Sequence, residues 1–222
     1  MSSILSFAFV SWLSCHRHPV IVILASAFRV YHRVVRLILA SASPRRAELL
    51  RAAGYEFDVM AVDVDETARD GESPAVYVRR LAAEKSFAAT ATVGAADATI
   101  LGADTTVVAG GAILGKPRDD RDAAAMLRRL SGGRHEVLTG VSLRRGAYEV
   151  GRVETTGVYF VPLSDADLGW YLASGEWRDK AGAYAIQGLA ARFIPRIEGS
   201  YSNVVGLPVS CVHELMAEFP AG

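Results

Sequence analysis

Leu37-Ile38-Leu39-Ala40-Ser41-Ala42-Ser43-Pro44-Arg45-Arg46-Ala47-Glu48-Leu49-Leu50 changes its patterning midway, and the change decides the fold class. The continuous apolar run Leu37–Ala40 reads as a buried strand. Ser43-Pro44 then opens a helix that closes at Gly54, with serine at the N-cap and proline at the first helical position. A strand that feeds straight into a helix presents free N–H groups and the positive end of the helix dipole to whatever lies beyond the strand. Two arginines and two hydroxyls at that point would clamp phosphates. A capped helix with solvated arginines fits this segment equally well, so the rest of the chain has to decide.

Working outward, strand-like and helix-like patterns alternate. Tyr55–Val64 reads as a second strand leading to an acidic loop, and Ser73-Pro74 starts a helix that runs to about Thr92. Thr99–Val108 and Ala112–Leu114 form a predicted hairpin about Gly110-Gly111, followed by a helix from about Asp120 to Leu130 that Gly132-Gly133 stops. His135–Leu143 and Tyr148–Val161 read as long strands joined at Arg145-Gly146. Ser164-Asp165-Ala166-Asp167 is a capping-type start for a helix ending near Gly175. Two short β runs and a last helix complete the tail. Interleaving of this kind predicts an α/β fold, a mixed sheet with flanking helices and with its active groups at strand ends and loops.

The 222 residues, 51% apolar and 22% charged, suffice for a substantial core. Lysine plus arginine (24) balances aspartate plus glutamate (24), so no global field draws the chain onto nucleic acid or an anionic membrane, and phosphate chemistry has to be local. Cys15 and Cys211 have no metal-ligand or redox spacing, which fits a reducing cytoplasm. Residues 1–35 differ in composition: no acid precedes Glu48, while Arg17, Arg29 and Arg33 fall there. Their apolar stretches, Ile4–Leu13 and Val20–Phe28, are shorter than the roughly 20 residues of a spanning helix. The expectation is an N-terminal extension over 1–35, poorly ordered or the product of a start site set too early, followed by one domain over 36–222.

Asp104-Thr105 interrupts an apolar run, where burial of a carboxylate costs several kcal/mol unless it is paired or metal-bound. A general base or metal ligand at a strand end explains it, and so does a hydrogen-bonded core aspartate. On the helix from Pro74, Lys85 shares the face of Tyr77, Leu81 and Ala88, and must snorkel or meet an anion. Lys116 follows the hairpin in a Gly-Lys-Pro turn. The chain has three lysines in all, the third being Lys180. Gly110-x4-Gly115-Lys116 imitates a P-loop, but Pro117 replaces the metal-holding hydroxyl and a strand lies inside the loop. Asp63-Val64-Asp65-Glu66-Thr67 is similar to the DxDxT nucleophile motif of haloacid-dehalogenase-type phosphatases. No later acidic pair stands in that family's usual setting.

SASPRRAELL (41–50), VDET (64–67), RLAAEK (80–85), LGADTTV (101–107), LGKP (114–117), LSGGRHEVLTGV (130–141), DKAGAYAIQG (179–188) and GSYSNVVGLP (199–208) together resemble the Maf family, in its order and over nearly everything from Arg36 onward. The resemblance implies two lobes around a central nucleotide-binding cleft, a Maf/ITPase-like architecture, and commonly a homodimer. It implies a nucleoside triphosphate pyrophosphatase that uses a divalent cation, Mg2+ or Mn2+. By matching motif, Asp104 would be the base, Glu66 and Asp104 would hold the metal, and Ser41, Arg45, Arg46, Lys85 and Lys116 would line the triphosphate, Lys85 and Lys116 acting in catalysis. The tail resembles the branch acting on dTTP and UTP, with modified pyrimidine nucleotides among the candidate substrates and with a house-cleaning role and a link to cell-division arrest among the expectations. Arg45, Thr105 and Gln187 match the positions that tune selectivity. The alternatives are the 7-methyl-GTP branch, a phosphatase using Asp63, and a non-catalytic nucleotide sensor.

Overall fold

The computed structural model describes residues 36–93 and 98–219. The expectations for residues 1–35 lie outside them. Strand β1 (Arg36–Ala40) feeds helix α1 (Pro44–Ala52), and β2 (Asp58–Met60) leads through a long loop to α2 (Pro74–Val93). Then come β3 (Ala98–Ala109), β4 (Ala112–Leu114), α3 (Asp120–Leu130), β5 (Arg134–Arg145), β6 (Tyr148–Tyr159) and α4 (Asp165–Ala173). Strand β7 (Arg196–Glu198) and helices α5 (Tyr201–Val205) and α6 (Val209–Glu218) close the chain. One mixed sheet runs in the order β2-β1-β3-β5-β6-β7, with β4 beside β3. β1 is parallel to β2 and β3, and the other pairs are antiparallel.

Two sequence expectations are corrected. The run Tyr55–Val64 is a strand only over Asp58–Met60, because its sole partner β1 ends at Ala40, opposite Met60, and leaves nothing further to pair with. The tail forms one short strand, β7, rather than two. Ahead of it lie 3-10 turns at Ala181–Ala183 and Leu189–Phe193. Asp179, Gly182 and Ala183 all have positive φ, 59°, 68° and 61°, which no extended strand accepts.

The two larger hydrophobic clusters on the sheet mark its two lobes. Leu101, Ala103, Val141 and Leu143 pack with Leu39, Leu50 and Leu215 of β1, α1 and α6. Val107 and Val137 pack with Leu127, Tyr171 and Phe193 under α3 and α4. Residues 104–106 of β3 therefore cross from one lobe to the other.

One edge of β3 is interrupted at that crossing. β5 lines its other edge continuously from Ile100 to Val108. On the near edge, β1 pairs as far as Gly102 and β4 begins at Val107, leaving residues 103–106 without a strand neighbour. Asp104 thus stands within a strand rather than at the strand end expected for it, but beside a gap that opens where β1 stops. Two glycines bring α2 down onto this part of the sheet. A Cβ on Gly102 would sit 2.2 Å from Ala82 O, and one on Gly140, the partner of Asp104, 2.2 Å from Val78 O. With no Cβ in the way, the α2 backbone lies against the strands and Lys85 falls within reach of Asp104.

Candidate active site

The gap opens into a cleft of about 560 Å³. Ser41, Arg45, Arg46, Glu66, Lys85, Asp104, Thr105, Lys116 and Gln187 all line it. Asp63 is exposed and is not among the lining residues. Both segments that bound the gap contribute: the Ser41–Arg46 turn continues from the end of β1, and Gly115-Lys116 continues from the end of β4.

Arg46 is buried and held by three bonds. Its guanidinium donates to Gly206 O at 2.8 Å, to Ser41 Oγ at 3.1 Å and to Thr105 Oγ1 at 3.1 Å. Ser41 Oγ also accepts from the Ser43 amide at 3.2 Å. Ser43 itself makes no side-chain capping bond, so the serine at the N-cap does not work as a hydrogen-bonding cap. The Thr105 hydroxyl, besides accepting from Arg46, donates to Gly206 O at 3.2 Å and shares a hydrogen bond with Thr139 Oγ1 at 2.9 Å. One donor and two acceptor sites are then committed inside the protein, and Thr105 faces the cleft as the support of Arg46.

On the opposite face of β3, the Lys85 ammonium donates to Asp104 Oδ1 at 2.7 Å and to Glu66 Oε1 at 2.6 Å. Lys85 and Asp104 are buried, at 8% and 7% exposure. A buried carboxylate is costly without a partner, and here burial raises the Asp104 pKa although Lys85 and Arg46 pull it down. Burial also acts upward on Glu66, but the Lys85 hydrogen bond and the charges of Lys85, Lys116 and Arg46 outweigh it and the carboxyl stays below its usual range. The loop that carries Glu66 has no regular structure and is fastened to α2 instead. Tyr77 Oη donates to Glu66 O at 2.9 Å and Arg80 Nη2 to Thr67 O at 3.1 Å, while Arg80 is paired with Glu72 at 2.7 Å.

Tyr77, Asp179, Lys180 and Tyr184, absent from the site expected from the sequence, also line the cleft. For Lys180 the sequence carries a signal: it is the third lysine of a chain whose other two are site candidates, and all three line this cleft. Burial lowers its pKa and nearby Arg45 lowers it further. Tyr184 gave none, because its placement depends on His135, whose Nε2 lies 2.9 Å from its hydroxyl in the core.

Arginine and lysine side chains, a buried carboxylate paired with one of them, and an amide, all lining one cleft, suit a polyanion with a hydrogen-bonding head group. The model of the Maf-like protein family matches residues 36–219. The chain belongs to the Maf family. It is 54% identical over 187 residues to a dTTP/UTP pyrophosphatase of Hahella chejuensis, covering 83% of this chain and 92% of that protein. The dTTP/UTP pyrophosphatases of Anaeromyxobacter dehalogenans and Vibrio cholerae are 51% and 48% identical over 191 and 186 residues, covering 83% and 84% of this chain and 95% and 99% of those proteins. Among solved structures, the similarity to the Ham1 protein of Staphylococcus aureus is remote, at a TM-score of 0.42 and 15% identity over 56% of this chain and 71% of that one. This Maf chain has no helix, among the described residues, long and apolar enough to cross a membrane.

Proposed function

We propose that this cleft hydrolyses dTTP and UTP, and modified pyrimidine triphosphates of the same shape, to the monophosphate and pyrophosphate. The observation that carries the reading is Asp104: a buried carboxylate of raised pKa, held on Lys85 in a cleft lined by four further cations, in a chain about half identical to proteins named for this activity. Asp104 accepts a proton from water as the water oxygen attacks the α-phosphorus. The bond from that phosphorus to the bridging oxygen breaks, and pyrophosphate leaves with the bonding pair. Arg45, Arg46, Lys85, Lys116 and Lys180 offset the charge of the triphosphate and of the departing pyrophosphate. Arg46 needs little reorganisation for this, since three bonds already fix it.

Glu66 and Asp104 also fit a divalent cation. They are hard oxygen donors that already meet on one positive charge, the Lys85 ammonium. Among the described residues no group of three or more His, Cys, Asp or Glu side chains could hold a metal. Two carboxylates plus phosphate oxygens and water is the donor set that Mg2+ accepts, and Mn2+ favours the same oxygen ligands. When bound, such a cation supplies Lewis-acid stabilisation of the phosphate charge. Gln187, which offers both a donor and an acceptor, reads the pyrimidine edge. A cytoplasmic homodimer with a house-cleaning role completes the reading.

The test is product analysis over a panel of canonical and modified triphosphates with Mg2+ or Mn2+. Pyrophosphate from dTTP and UTP is the expected result. Preference for 7-methyl-GTP would move the chain to the other branch, orthophosphate would favour a phosphatase using Asp63, and binding without turnover would make the cleft a sensor. Light scattering of the purified protein checks the dimer.

A further inference from the structure

We infer that Glu176 is a positioning residue for base selection: its carboxylate holds the turn that presents Gln187 to the cleft. The inference rests on the reading of the cleft as a nucleotide site with Gln187 at the base. The Gln187 side chain is exposed and, among the described residues, makes no hydrogen bond, so nothing but its backbone fixes where the amide points. That backbone stands between two turns. Behind Gln187, the Gly188 amide donates to Ala185 O at 3.1 Å. Ahead of it, the 3-10 turn Leu189–Phe193 begins, and its first amides need acceptors.

Glu176 supplies them. Its Oε2 accepts from Leu189 N at 2.9 Å and its Oε1 from Ala190 N at 3.4 Å. Oε1 also accepts from Tyr171 Oη at 3.0 Å, and Tyr171 is wholly buried in the core under α4. The start of the turn is thereby tied to Tyr171 through one carboxylate, while Ile186, Ala190 and Phe193 pack in the same core. Gly188 permits the approach: a Cβ there would stand 2.1 Å from Glu176 Oε2. A residue with a side chain at 188 and the clamp by Glu176 exclude one another.

Glu176→Gln is the decisive variant, since its amide nitrogen cannot accept a backbone N–H. The expected loss in kcat/KM for dTTP and UTP is about 3- to 10-fold, as for one hydrogen bond. It should appear in KM, with kcat held within about twofold and purine triphosphates changed by less than about twofold. In a Gln187→Ala background the same substitution should add less than about twofold. An equal loss on all bases, or an undiminished loss in that background, overturns the inference. Should Glu176→Gln fail to fold, Gly188→Ala drives the carboxylate off with Glu176 intact and should give the same selectivity change, equal losses on all bases again overturning it. In the unaltered protein, Leu189 and Ala190 amides that exchange with solvent as freely as an unstructured chain would overturn the clamp directly. A protein that releases pyrophosphate from no nucleotide sinks the functional reading instead.

Discussion

Arg46 and Gln187 line the same cleft and are held in opposite ways. Arg46 is fixed by three bonds of its own side chain, and its supports Ser41 and Thr105 are bonded in turn. Gln187 relies on a backbone that three left-handed residues and one carboxylate have bent into place. Side-chain networks are set to sub-ångström tolerance by packing, and they suit an operation that is the same for every substrate. Charge on a triphosphate is such an operation. Reading a base requires discrimination between similar edges, and a turn that adjusts with its clamp is the place where selectivity can change without disturbing the phosphate wall.

That contrast can be broken first at Asp104. Asp104→Asn should keep the fold, as judged by circular dichroism, while lowering turnover by at least ~10² on every nucleotide alike. Asp63→Asn should do far less. A base-dependent loss at Asp104 would erase the distinction between the two walls, and near-normal turnover would remove Asp104 from the chemistry.

Acid should destabilise the fold through His135, which lies in the core behind the turn-built wall. His135 is 2% exposed and stands behind Tyr184, and burial, with Arg134 nearby, lowers its pKa from 6.5 to about 4. A depressed folded-state pKa means that the unfolded chain takes the proton first. Stability from this group is complete above about pH 6.5 and is lost as the pH falls towards 4, by about 3 kcal/mol at most. The melting temperature of His135→Gln should therefore fall less steeply than that of the unaltered protein between those pH values. Parallel slopes would show that His135 is protonated in the fold.

Gln187→Ala leaves a base edge unpaired at ~1–3 kcal/mol, so kcat/KM for dTTP and UTP should drop about 5- to 150-fold with purine triphosphates affected less. Equal losses would make Gln187 a support of the cleft. The smallest effect is expected from removal of residues 1–35, which precede β1. Activity and solubility should not change, and an insoluble or inactive product would make the leader part of the fold.

The phosphate wall was legible in the sequence because its parts are local or anomalous. Ser41 to Arg46 is one turn, and a lysine on an apolar stripe or an aspartate in an apolar strand is conspicuous in a single chain. Lys85 meeting Asp104 depends on a feature that is only half visible, the absence of Cβ atoms at Gly102 and Gly140. The other wall was harder. The expected tail holds two short β runs, and no local rule announces left-handed φ at Asp179 or Ala183. Glu176 and His135 bond to residues 13 to 49 positions away, contacts that only the fold creates. The boundary of strand β2 failed for the same reason, since strand length belongs to a pair.

The concentration of lysine has a practical side. The sequence contains 24 basic residues, yet every ε-amine in it lines the cleft. Apart from the chain's amino terminus, amine-directed reagents used to attach dyes or resins can react nowhere else. Lys85 is shielded by its two carboxylates, whereas Lys180, whose pKa is lowered, holds a larger share of the nucleophilic neutral form. Routine labelling of this protein would therefore double as a footprint of its cleft, which a bound polyanion would protect.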